Sequence, residues 1–139
     1  MQELEELRKR IEHQDYEGAL QILDELDEMS KDDKLNKIYS YLVILLMHLI
    51  KQEAEQRSTR SWERSIENSS DRIKQINKRR KSGGYYATSE ELDALIIEAF
   101  PKALKEASYE AFEGQYSPEE LKRKINSNIV YFKVKEMIF

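Results

Sequence analysis

Apolar residues recur at intervals of three and four along most of this chain, the spacing of one face of an α-helix. In the segment Gln2–His13 they are Leu4, Leu7 and Ile11. Asp15 is placed to N-cap a second helix, on which Tyr16, Ala19, Leu20, Leu23 and Leu26 form one stripe. Ser30, with Asp33 three residues on, resembles a capping arrangement and predicts a fresh helix start. Beyond it Leu35, Ile38, Leu42, Leu45, Leu46 and Leu49 run down one face, while Val43, Ile44, Met47 and Ile50 fill much of the remainder. A helix apolar nearly all round is buried nearly all round, which makes this segment, about 31–55, the centre of the fold.

The later elements carry clearer punctuation. A helix predicted over Arg60–Ser82 has the thinner stripe Trp62, Ile66, Ser69, Ile73 and Ile76, which suits a peripheral position. Gly83-Gly84 ends it, since glycine accepts the positive φ such a stop requires. Thr88 and Glu91 form a capping box, followed by Leu92, Leu95, Ile96, Ala99 and Phe100. Pro101 removes a backbone donor, so the helix kinks or breaks there, or a new one starts with the proline in its first turn. Leu104, Ala107, Ala111 and Phe112 continue the apolar face as far as Gly114. Ser117-Pro118-Glu119-Glu120 combines a cap, a first-turn proline and a glutamate at the third position. In the tail, Val130, Phe132 and Val134 alternate as in a strand, yet Val130, Val134, Met137 and Ile138 also fit a helix. A lone strand would leave its backbone groups unpaired, which favours helix. The apolar end at Phe139 then needs a cover, from the domain or from a second copy.

Composition narrows the class. The 139 residues are 40 % apolar and 36 % charged, with four glycines, two prolines and no cysteine. So few turn formers argue against a sandwich or barrel, and disulfides and thiolate metal sites are excluded. Met1–Arg10 is charged from the outset and does not read as a signal peptide, which leads to the expectation of a cytoplasmic protein. The longest apolar run, Tyr41–Ile50, covers about half of the roughly 20 residues a membrane span requires.

The net charge of −4 conceals an uneven distribution. Residues 1–56 hold 7 basic and 14 acidic side chains, residues 57–81 hold 9 and 3, and residues 82–139 hold 7 and 10. A basic middle between acidic flanks meets either an external anion or the acidic helices of its own fold, and the internal arrangement needs no partner. Arg57, Arg60, Arg64, Arg72, Lys74, Lys78 and Arg79 are accordingly the candidates for an anion- or partner-binding surface. They lack the interleaved aromatics of single-strand binders and any helix-turn-helix frame. Cations in the last turn of a helix also complement its dipole.

A second cluster comprises His48, Lys51, Ser61 and Trp62. His48 lies in the most apolar helix, where its imidazole needs partners such as Tyr41 or Glu55. Ser61 is a candidate N-cap, and no G-x-S-x-G elbow surrounds it. With His13 the one other histidine and no HExxH spacing, the residues assign no metal, cofactor or catalytic group.

His48-Leu49-Ile50-Lys51, then Arg57-Ser58-Thr59-Arg60-Ser61-Trp62, Ser65-Ile66 and Ile73, resemble a bacterial all-helical family catalogued as domain of unknown function number twenty-nine. Its members carry a His-Leu-Leu-Lys turn, an Arg-Ser-x-Ser-Trp segment and an isoleucine four residues after the tryptophan. The resemblance covers roughly residues 24–113 and is most specific across 48–73. Two departures stand out. Gln52–Gln56 has no proline between the lysine and the arginine, which bears on how the two helices are joined. Ser70 stands where an arginine is common, which bears on any shared anion site. The resemblance implies a helical bundle with no assigned activity.

The combined reading is one all-α domain over residues 1–139, a bundle of five or six helices around the central apolar one. Its expected role is a non-enzymatic interaction or structural module, with a protein partner or self-association through the tail. A nucleic-acid or phosphate binder using segment 57–81 is the runner-up, and an enzyme centred on His48 is the third reading.

Overall fold

The computed structural model describes residues 2–79 and 83–139. Among these residues the chain forms α1 (Gln2–Glu12), α2 (Tyr16–Glu55), α3 (Arg60–Asn77), α4 (Ser89–Glu110), α5 (Pro118–Arg123) and α6 (Ser127–Ile138). A short 3₁₀ turn, Ala111–Gly114, follows α4. The single β feature among the described residues is an antiparallel bridge between Lys78 and Tyr85. The all-α expectation holds. The chain divides into two compact units, Met1–Lys34 and Leu35–Phe139, with the boundary inside α2.

In the amino-terminal unit, α1 closes with Gln14 at φ 62, and the Asp15 N–H donates back to the Arg10 carbonyl at 2.8 Å. Asp15 then caps α2 as expected, its Oδ1 accepting from the Gly18 N–H at 3.1 Å. Arg10 donates to the other carboxylate oxygen at 2.7 Å, and a Cβ at Gly18 would meet that pair at under 3 Å. The Asp15 carboxyl is held below its usual range by the Arg10 hydrogen bond first and the Gly18 N–H second. The stripe expected to face a core does so at Ala19, whereas Tyr16, Leu20 and Leu23 stand exposed.

The expected break at Ser30 is absent. Residues 16–55 form one helix. A serine caps only where the chain leaves helical φ/ψ, and no glycine or proline between Ala19 and Glu55 forces it to do so.

The Leu35–Phe139 unit is built on the second stretch of α2. Ile38, Leu42, Leu45, Leu46, Leu49 and Ile50 are each at most 1 % exposed, as their spacing predicts, while Ile44 alone faces outward among the large apolar residues of that run. The same core takes Ile66 and Ile73 from α3, Leu92, Ile96, Phe100 and Leu104 from α4, Leu121 from α5, and Val130 and Val134 from α6. Pro101 neither breaks α4 nor restarts it. Both Pro101 and Ile97, whose carbonyl loses its partner, are exposed, so water solvates the freed group. Both capping boxes form, at Thr88–Glu91 and Ser117–Glu120.

Helix α3 ends at Asn77, short of the expected Ser82, which itself lies outside the described residues. Lys78 is already extended, the Tyr86 N–H donates to the Asn77 carbonyl at 2.8 Å, and the Asn77 Oδ1 accepts from the Ala87 N–H at 2.8 Å. Gly83 and Gly84 do adopt positive φ, 73° and 72°, but they serve the chain reversal between Lys78 and Tyr85 rather than a helix stop. The tail is helical: Val130, Val134 and Ile138 are buried, and Phe100 stacks on Tyr131 at 4.9 Å. Phe139, expected to be covered, is 56 % exposed.

Candidate functional site

The end of α2 fixes the first group. Leu49 and Ile50 are buried, and helical phase sets Lys51 one turn beyond His48 on the neighbouring face. Lys51 is only 4 % exposed, an uncommon state for a lysine, which is tolerated only with a partner. Its Nζ donates to Glu110 Oε2 at 3.0 Å and lies 4.6 Å from the centre of the Trp62 ring. One ammonium thus engages the end of α2, the start of α3 and the end of α4. The pair joins residues 59 positions apart, so no local spacing in the sequence signals it.

Gln56, at φ 51, turns the chain out of α2. Thr59, not Ser61, caps α3: it is extended at φ −124 and ψ 160, and its hydroxyl accepts from the Trp62 N–H at 3.1 Å. Ser61 is therefore an exposed first-turn residue. Capping at Thr59 directs Trp62 back toward Lys51, and Arg57 covers the same ring at 4.7 Å while pairing with Glu55 at 3.1 Å.

The opposite wall follows α4. Phe112 and Glu113 adopt left-handed backbone (φ 50, ψ 37 and φ 58, ψ 28), ahead of Gly114 at φ 76. A Cβ at Gly114 would lie 3.0 Å from the Tyr109 carbonyl oxygen, so glycine is required there. Each left-handed non-glycine residue costs roughly 1–2 kcal/mol, which the surroundings must supply. The Phe112 ring meets Tyr116 edge-on at 5.3 Å, and Lys124 covers Tyr116 at 4.3 Å. Nothing in the sequence apart from Gly114 announces this strained pair. Between the walls lies an open cleft of about 510 Å³, lined by Lys51, Glu55, Arg57, Trp62, Glu110, Phe112, Glu113 and Gln115.

His48 stands beside this group without the partners expected for it. Its Nδ1 is buried and meets no hydrogen-bond partner among the described residues, and the Tyr41 hydroxyl instead accepts from Arg72 at 3.4 Å. Burial lowers the imidazole's pKa, the Lys51 charge lowers it further, and Glu110 partly offsets both.

The seven candidate cations are dispersed. Arg57 joins the cleft, Arg60 and Arg64 are exposed on α3, Arg72 lies over Tyr41 at 5.7 Å, and Arg79 over Tyr86 at 5.2 Å. Lys74 and Lys78 line a different cleft, at the start of α4. Within α3 itself, four basic residues alternate with Glu63, Glu67 and Asp71. The basic excess of segment 57–81 therefore lies at its ends. No group of His, Asp or Glu suited to a metal ion occurs among the described residues, nor any helix long and apolar enough to cross a membrane.

No curated protein and no solved structure matches the chain. The family model described as domain of unknown function DUF29 matches residues 1–131, well beyond the 24–113 span of the motif resemblance. Lys51, Arg57 and Trp62, from the segments that carry the resemblance, line the cleft, and the chain belongs to the DUF29 family.

Proposed function

We propose that this protein is a non-enzymatic interaction module that recognises a protein partner through the Lys51–Trp62–Glu110 cleft. The observation that carries this reading is the sign pattern of the lining. Lys51 and Arg57 stand against Glu55, Glu110 and Glu113, two positive charges and three negative, around the rings of Trp62 and Phe112. Such a surface repels a polyanion and suits a peptide surface offering both signs of charge and an apolar anchor. The Trp62 ring is already covered by two cations, which leaves it poorly disposed to stack a base. The Lys51 ammonium is engaged by Glu110 and Trp62, an arrangement that ties helices together rather than supplying a free amine.

Trp62 is the chain's single tryptophan, so its fluorescence reports on this cleft alone. A partner recovered with the full chain as bait, then purified and titrated, is expected to shift Trp62 emission. Arg57→Glu, at an exposed position, should weaken that binding about tenfold or more, the scale of one lost charge-assisted contact. Partners that leave the emission unchanged and bind Arg57→Glu equally well would overturn the reading. A response to a single-stranded oligonucleotide that disappears with added salt would replace it with the nucleic-acid alternative.

A further inference from the structure

Residues 16–28, the opening of α2, carry five carboxylates and no cation. On the same stretch Tyr16, Leu20 and Leu23, spaced by four and then three, share one side of the helix and are 61 %, 61 % and 45 % exposed. Helix α1 approaches α2 elsewhere, at Gly18, where an added Cβ would meet Arg10 Nη1 at 2.8 Å. Gly18 lies about 160° around the helix from Tyr16 and from Leu20, so this contact leaves the apolar ridge bare. Glu17, Asp24 and Glu28 form a row beside the ridge, and Glu17, Leu20 and Asp24 line one open groove of about 460 Å³. The cation lining that groove, Arg10, is already taken by Asp15 at 2.7 Å and Glu6 at 3.1 Å. The three carboxylates of the row make no ion pair with a described residue. The helix dipole accounts for Glu17 in the first turn, but not for Asp24 and Glu28, about two and three turns further on.

We infer that this face of the Met1–Lys34 unit docks a basic amphipathic helix of a protein partner, whose apolar residues lie along Tyr16, Leu20 and Leu23 while its lysines or arginines meet Glu17, Asp24 and Glu28. Charge decides the occupant. Residues 1–34 hold 12 acidic and 5 basic side chains, so a second copy would bring like charge to the same face. Anionic lipid and nucleic acid are repelled for the same reason. A cationic helix supplies the sign that the row lacks, and apolar anchors at intervals of three and four match the spacing of the ridge. The ridge gives such a partner its contact area, and the row on one flank sets which way round the helix lies. This face uses no residue of the Trp62 cleft.

The probe is a synthetic helical peptide of about 18 residues, with leucines along one face and lysines on one flank, titrated into the full chain and followed by amide NMR. Saturable shifts should centre on residues 16–28 and weaken with added salt. A peptide of the same composition, scrambled so that the leucines no longer share a face, should bind about tenfold more weakly or worse, as should a version with glutamate in place of lysine. Leu20→Ser with Leu23→Ser should weaken the lysine peptide by about tenfold or more. Asp24→Lys with Glu28→Lys should lose the lysine peptide and accept the glutamate one, a reversal that a general loss of structure would not produce. All four positions are exposed, so unchanged circular dichroism and melting curves will confirm an intact fold. Equal binding of the scrambled peptide, shifts centred outside residues 16–28, or no reversal of preference would overturn the inference. Dimerisation of the chain alone that Leu20→Ser abolishes would overturn it too and give the ridge to a second copy. Binding to phosphatidylglycerol vesicles with none to the lysine peptide would give it to a membrane surface instead.

Discussion

The two stretches of α2 share one unbroken helix and differ in everything else. Residues 35–55 bury Ile38, Leu42, Leu45, Leu46, Leu49 and Ile50, while in residues 16–34 Ala19 alone of the apolar residues is buried and Leu20 is 61 % exposed. The first stretch carries seven acidic and two basic residues. Both have the 3.6-residue apolar rhythm, so the rhythm specifies a helix without guaranteeing a core beneath it. Continuity follows from local propensity, whereas burial depends on what other elements bring to the face. In the Leu35–Phe139 unit four further α-helices and the 3₁₀ turn contribute to the core or its margin. The Met1–Lys34 unit has one short partner helix, α1, with no buried residue of its own.

The contrast is sharpest at the centre of the second stretch. Leu49→Ala should destabilise the protein by about 2–5 kcal/mol, the lost transfer energy of a leucine plus the cavity it leaves. Denaturant unfolding followed by circular dichroism measures it. A loss below about 1 kcal/mol would mean that the face tolerates collapse and that the two stretches are held alike.

How much of this was readable in advance depends on how far apart the partners lie. Thr88 with Glu91, Ser117 with Glu120 and Asp15 with Gly18 are three residues apart, and all were legible. The positive φ at Gly83 and Gly84 was legible as well, though their purpose was not, because Asn77 holds Ala87 across ten positions. Ser30 and Ser61 misled for the same reason: a capping residue type indicates where a helix can start, not that the chain leaves helical geometry there. For the cleft, the sequence supplied Lys51, Arg57 and Trp62 but not Glu110, 59 residues away, and not the left-handed Phe112-Glu113 pair. Segment charge was the weakest guide, since it summed over cations that the fold sends to separate neighbourhoods.

A smaller effect sets the buried stretch apart by its response to pH. The His48 imidazole has its pKa lowered from 6.5 by burial and then by Lys51. In the unfolded chain it protonates more readily than in the folded one, so its contribution is fully present above the unfolded value and is lost as pH falls through the folded one. Melting temperature should therefore fall on acidification below about pH 6.5, and His48→Gln should flatten that slope. An equally steep slope in the variant would assign the effect to other groups, the Asp15 carboxylate that caps the first stretch acting only at lower pH.

The smallest expected effect probes the first stretch itself. Leu20 is exposed within a helix that needs no side-chain burial at that position to stay continuous, so Leu20→Ser should change stability by no more than about 0.5 kcal/mol. The difference in helix propensity between leucine and serine accounts for a change of this size. A cost approaching that of Leu49→Ala would show that Leu20 is covered in solution, by a partner or a second copy. The exposed apolar face of the Met1–Lys34 unit would then be an interface, and the difference between the two stretches would lie in which molecule buries them. Measuring the same variant at several protein concentrations separates these cases, because cover from a second copy makes its stability cost depend on concentration while an exposed leucine does not.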